Sequence, residues 1–102
     1  MHATIRRYDG VDMERTDELK RKVSETLVPK LQKIGGFNGY YLIDAGDGVF
    51  SWVGLFNSPE QSGEANRVAA AWVKDEKLEA ALPNQPRITS GVVISQENGV
   101  PA

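Results

Sequence analysis

Apolar residues recur at every fourth position from Leu19 through Val23, Leu27 and Leu31, and Ile34 closes the row. That spacing keeps one stripe of a helix apolar and predicts an amphipathic helix between Met13 and Ile34. Asp12 is the natural N-cap, following the turn residues Asp9-Gly10-Val11. On the opposite face, Asp17 with Arg21 and Glu18 with Lys22 form acid-first i,i+4 pairs, each worth a few tenths of a kcal/mol on an exposed helix. Pro29 interrupts the row: it has no N–H for the Glu25 carbonyl and crowds it, so a kink or a fresh helical start is expected there. Gly35-Gly36 then ends the helix.

Elsewhere the period changes to that of strands. Residues 2–8 read as a short strand, and Phe37–Ile43 and Val49–Phe56 are rich in aromatic and β-branched side chains. The last two flank Asp44-Ala45-Gly46-Asp47-Gly48, a hairpin connection. The same loop has a superficial likeness to a calcium loop, but Leu55 stands where the bidentate Glu should fall. Pairing Ile43 with Val49 sets Tyr40 opposite Trp52 and Leu42 opposite Phe50, with Phe37, Tyr41, Val53 and Leu55 on the other face.

Ser58-Pro59-Glu60-Gln61 opens a second helix, with Ser58 as N-cap, Pro59 at the first helical position and Gln61 closing a capping box. Val68, Ala69, Trp72 and Val73 supply its core stripe, and Leu78 and Leu82 predict a short helical continuation before Pro83. Residues 87–95 read as a last strand, and 96–102 as a frayed tail.

The order strand, helix, strand, strand, helix, strand over 1–102 predicts one ferredoxin-like βαββαβ domain of the α+β class. Right-handed crossovers place both helices on one face of a four-stranded antiparallel sheet. The hairpin nevertheless carries large apolar side chains on both faces, so the second face needs a cover. A second copy of the chain is the simplest one, giving a homodimer through the sheet faces, a dimeric α+β barrel.

Composition narrows the chemistry. With 102 residues the chain is of one-domain size. It has no cysteine, which removes disulfides, thiolate nucleophiles and iron–sulfur ligation. Acids and bases are interspersed to a formal charge of −2, so there is no nucleic-acid footprint. No stretch reaches the length of a membrane span and the N-terminus lacks a secretory pattern, so a cytoplasmic protein is expected. His2 is the only histidine, beside the chain start where fraying is common. It leaves no conventional Ser–His–acid triad and no metal cluster, and no Gly-Lys-Ser or Gly-Lys-Thr phosphate loop occurs either.

Gly36-Phe37-x-Gly39-Tyr40-Tyr41, Asn66-Arg67-x-Ala69-Ala70-x-Trp72-Val73 and a proline at 83 together resemble short bacterial members of the dimeric α+β barrel superfamily, grouped with antibiotic-biosynthesis-type monooxygenases. The likeness spans nearly the whole chain and implies oxidation of an aromatic or quinol substrate without metal or flavin, in a pocket between helices and sheet. On that resemblance the substrate-binding candidates are Arg6, Tyr40, Trp52, Asn66 and Trp72, no cofactor is implied, and the partners are a small aromatic ligand and a second copy of the chain. Haem degradation, also known in the superfamily, fails to match: the chain lacks the second-helix His, and no Asn precedes Asn38.

Two readings follow. One is a cofactor-independent monooxygenase that orients its substrate and hydrogen-bonds the developing oxyanion through Tyr40, Asn66 and Arg6. The alternative is a non-enzymatic homodimeric ligand-binding or protein-interaction domain, with the aromatics as core and Arg6 snorkelling to solvent. A cavity of roughly 300 Å³ or more with convergent polar atoms separates the two, since ligand pockets usually reach that size.

Overall fold

The computed structural model describes residues 1–97, and the last part of the expected tail, 98–102, lies outside the described residues. Strands β1 (His2–Tyr8), β2 (Phe37–Gly46), β3 (Val49–Phe56) and β4 (Arg87–Val92) form one sheet in the order β2-β3-β1-β4, with every neighbouring pair antiparallel. This is the ferredoxin-like α+β arrangement.

The first helical stretch is built in pieces. A 3₁₀ turn at Met13–Arg15 is capped by Asp12, whose carboxylate accepts the Glu14 N–H at 3.0 Å. Helix α1 (Thr16–Lys22) follows, then a π-helical segment over Val23–Leu27, then α2 (Val28–Gln32) with Pro29 in its first turn. The π segment ends with the Val28 N–H bonded to the Val23 carbonyl, and α2 starts afresh with Pro29 in its first turn, where no N–H is needed. Thr26 joins in by donating its hydroxyl to the Lys22 carbonyl at 2.6 Å. The apolar row survives throughout: Leu19, Val23, Leu27 and Leu31 are all buried. The expected i,i+4 ion pairs are replaced by others, Glu18 with Arg15 at 2.8 Å and Lys22 with Glu76 at 3.1 Å, because Arg15 and the end of the second long helix lie within reach.

Helix α3 (Pro59–Asp75) starts with the expected reciprocal capping box between Ser58 and Gln61 and buries Ser62, Ala65, Ala69 and Trp72 on the sheet. The predicted continuation past residue 75 is not a helix. Lys77 adopts the left-handed conformation, φ 56°. The Leu78 N–H then reaches back to the Val73 carbonyl and the Lys77 N–H to that of Lys74. This two-bond C-terminal motif stops the helix. Leu78, Ala81 and Leu82 close the core from a turn instead.

In the hairpin, Leu42 lies opposite Trp52, a register two residues away from the expected one, and next to the turn Gly46 lies opposite Val49, three residues away. The turn is shorter than the loop predicted, Asp47-Gly48 only, and an irregularity between Asp44 and Gly46 absorbs the difference. A slip of two residues keeps each side chain on its predicted face. Phe37 is the exception. The shift between Phe37 and Gly39 pairs it with Phe56, and the two rings meet edge to face at 5.7 Å on the helix side.

Core residues Phe50, Trp52 and Phe56 alternate along β3, toward the helices. Gly54 stands between the last two, and any Cβ there would lie 2.8 Å from the Trp52 ring and 2.9 Å from that of Phe56. The two aromatics therefore fold over the gap that glycine leaves. On the far face, Ile5, Val53 and Tyr41 form a row across β1, β3 and β2, with Tyr41 64% exposed.

Candidate functional site

The helix-facing side of β1 is polar from end to end: His2, Thr4, Arg6 and Tyr8 alternate inward, while Ala3 and Ile5 face out. Thr4 and Arg6 are buried, and α3 meets them with polar groups. Asn66 donates from Nδ2 to Thr4 Oγ1 at 2.9 Å and accepts Arg6 Nη1 on Oδ1 at 3.0 Å. His2 Nδ1 lies 2.8 Å from Ser62 Oγ, and Thr4 Oγ1 2.7 Å from Ser90 Oγ. His2 is thus fixed within a paired strand, not frayed.

Arg6 does not snorkel to solvent, being only 3% exposed. Its Nε and Nη2 donate to the Tyr8 hydroxyl at 3.2 and 3.0 Å, and the guanidinium carbon lies 5.7 Å from the Tyr8 ring centre. Across the sheet, Arg6 is register partner to Trp52, which is in turn partner to Leu42.

This row forms the floor of a small interior cavity of about 30 Å³, roofed by Leu19, Val23 and Leu27 from the first helical stretch and by Ala69 and Trp72 from α3. The Trp72 indole N–H donates to Thr26 Oγ1 at 2.7 Å. The Trp52 indole N–H, equally buried, has no hydrogen-bond partner among the described residues. A surface cleft of about 270 Å³ lies beyond, bounded by Val73 and Lys74 of α3 and by the Leu82–Pro86 loop. Arg6, Tyr8 and Leu82 line both spaces and so form the wall between them.

Of the five sequence candidates, Arg6, Trp52 and Trp72 come together at the cavity. Asn66 holds Arg6 from behind. Tyr40 lies apart, opposite Gly54 on the edge strand. Tyr8 was missed, although its i,i+2 spacing from Arg6 was a readable sign of a shared strand face.

No family model matches the chain, and no curated protein matches it. Solved structures do. A protein of unknown function from Nitrosomonas europaea superposes with a TM-score of 0.73 at 14% identity, over 98% of this chain and 95% of that one. A monooxygenase of Streptomyces coelicolor in complex with the ligand nanaomycin D gives 0.69 at 12% identity, over 99% and 92%. A dimeric ferredoxin-like protein from an uncultured marine organism gives 0.69 at 15% identity, over 97% and 92%. The chain shares its fold with these proteins and with others described as antibiotic biosynthesis monooxygenases. Among the described residues, no helix is long and apolar enough to cross a membrane.

Proposed function

We propose that this chain binds a small planar phenol or quinol around Arg6, Tyr8 and Trp52 and oxidises it with molecular oxygen without a cofactor, as a homodimer joined through the outer sheet face. One observation carries the reading: a buried indole N–H left unpaired beside an apolar cavity costs about 1–3 kcal/mol, a cost removed when a ligand oxygen accepts it. The adjoining cleft supplies room that the cavity lacks. The dimer is supported by the exposed apolar row of Ile5 and Tyr41 around Val53. A structural neighbour is itself described as dimeric.

In this reading the protein orients the substrate phenolate, excludes water and offers Trp52 and Arg6 as hydrogen-bond donors to its oxygen. The substrate itself reduces oxygen. For 1-naphthol, conversion to 1,4-naphthoquinone takes one oxygen atom from O₂ and releases the other as water. The test is oxygen uptake on 1-naphthol with labelled O₂. One labelled atom in the quinone, with at least a tenfold loss of turnover in Trp52→Phe, is expected. A turnover equal to the protein-free rate removes the enzymatic reading.

The second reading, a non-enzymatic binding or interaction domain, is favoured by one feature: the interior cavity is about 30 Å³, far below a typical ligand pocket of roughly 300 Å³. No carboxylate or imidazole lines it to act as a base. Binding of 1-naphthol without oxygen uptake is its signature.

A further inference from the structure

Arg6 is a buried cation with no anion. Among the described residues, every ion pair within 4.0 Å involves some other basic side chain, so no carboxylate faces the guanidinium. Its partners are neutral: the Tyr8 hydroxyl, the Asn66 amide oxygen and, at 3.4 Å, the Asn66 backbone carbonyl. Those four bonds leave one of the five guanidinium N–H groups unused. Burying a charge is costly unless an opposite charge compensates it, and a guanidinium suits a planar carboxylate in particular.

The position of this cation matters as much as its isolation. Arg6 and Tyr8 line both the interior cavity and the cleft. At the cleft's outer rim Lys74 and Glu79 are one base and one acid, so their formal charges cancel and the buried charge decides the sign at the base. The spare Arg6 N–H in that wall is a donor on a cation. A ligand that satisfies it from the cleft brings an acceptor and a negative charge.

From this we infer that the ligand is an aromatic acid, ionised at neutral pH, whose carboxylate lies against Arg6 with its ring in the cleft, between Val73 and the Leu82–Pro86 loop. The inference rests on the small-molecule reading given above and adds the charge of what is bound.

Calorimetric titration with 2-naphthoate and with 2-naphthamide, which has the same rings and no charge, tests it. Binding of the carboxylate at least tenfold tighter than the amide is expected in the unsubstituted protein. In Arg6→Met the ratio should fall below twofold through loss of carboxylate affinity alone. Equal affinities for the two compounds in the unsubstituted protein would overturn the anion inference and leave the aromatic site standing. Failure of both compounds to bind would remove the site reading and the inference with it. A preference retained in Arg6→Met would also overturn it. Should Arg6→Met not fold, the carboxylate-to-amide ratio of the unsubstituted protein decides the matter alone.

Discussion

Arg6 and Trp52 are register partners across β1 and β3, and both are 3% exposed. Each keeps an N–H that no described residue accepts. Two adjacent buried donors with spare capacity are unusual in a packed interior, where the great majority of buried polar groups are paired. The pairing by register makes them one feature of the sheet.

The two tryptophans should therefore respond differently to the same substitution. Trp72→Phe breaks the bond to Thr26 and leaves a small void, and should cost about 2–3 kcal/mol. Trp52→Phe loses similar volume but also removes an unsatisfied N–H, so its cost should be about 1 kcal/mol or less. Urea denaturation of the two variants checks this, and an equal loss would contradict it.

Lys77 holds a left-handed backbone conformation at the end of α3 with an exposed side chain. Glycine adopts that conformation without the Cβ penalty, offset in part by its greater freedom when unfolded. Lys77→Gly should stabilise the protein by about 0.5–1 kcal/mol, a rise of roughly 3–5 °C in Tm for a domain this size. Differential scanning calorimetry reads it directly.

Glu18 should titrate below the ordinary carboxylate range, chiefly because Arg15 hydrogen-bonds its ionised form, with the Arg15 charge adding to the effect. A carboxyl whose folded pKa is depressed contributes stability above its unfolded pKa, and the contribution disappears as pH falls through the folded value. The midpoint read from the Glu18 side-chain carbon resonance should be lower in the natural sequence than in Arg15→Gln. Equal midpoints would show that the bond does not persist in solution.

On the outer face, Val53 lies between Ile5 and Tyr41. Val53→Lys sets a charge at the middle of the row and should convert a two-chain species into single chains in sedimentation equilibrium, with helical circular dichroism unchanged. A natural-sequence protein that sediments as a single chain at high concentration would contradict the proposed dimer.

Long-period patterns were the legible part of the chain. The row Leu19, Val23, Leu27, Leu31 survived a π-helical segment because burial of the stripe outweighs local hydrogen-bond geometry. The Ser58–Gln61 capping box was readable residue by residue. What failed depended on single-residue backbone choices. A bulge moved Phe37 to the helix side, and a left-handed Lys77 ended α3 early. The site was only half legible for a related reason. The inward row of β1 is His2, Thr4, Arg6, Tyr8, so apolarity, the usual guide to the buried face, points the wrong way there. Only the polar face of α3, with Ser62 and Asn66 turned toward that row, makes the parity intelligible.

The most direct test of the account is the pair of indole N–H resonances in a ¹H–¹⁵N spectrum during titration with 1-naphthol, assigned from Trp52→Phe. Trp72 lines the same cavity, but its N–H is already bonded to Thr26, so it should feel only the ring current of a nearby ligand. The Trp52 resonance should move to saturation with a downfield change from its new hydrogen bond, larger than the change at Trp72. A Trp52 resonance that stays fixed to the solubility limit of 1-naphthol would contradict it.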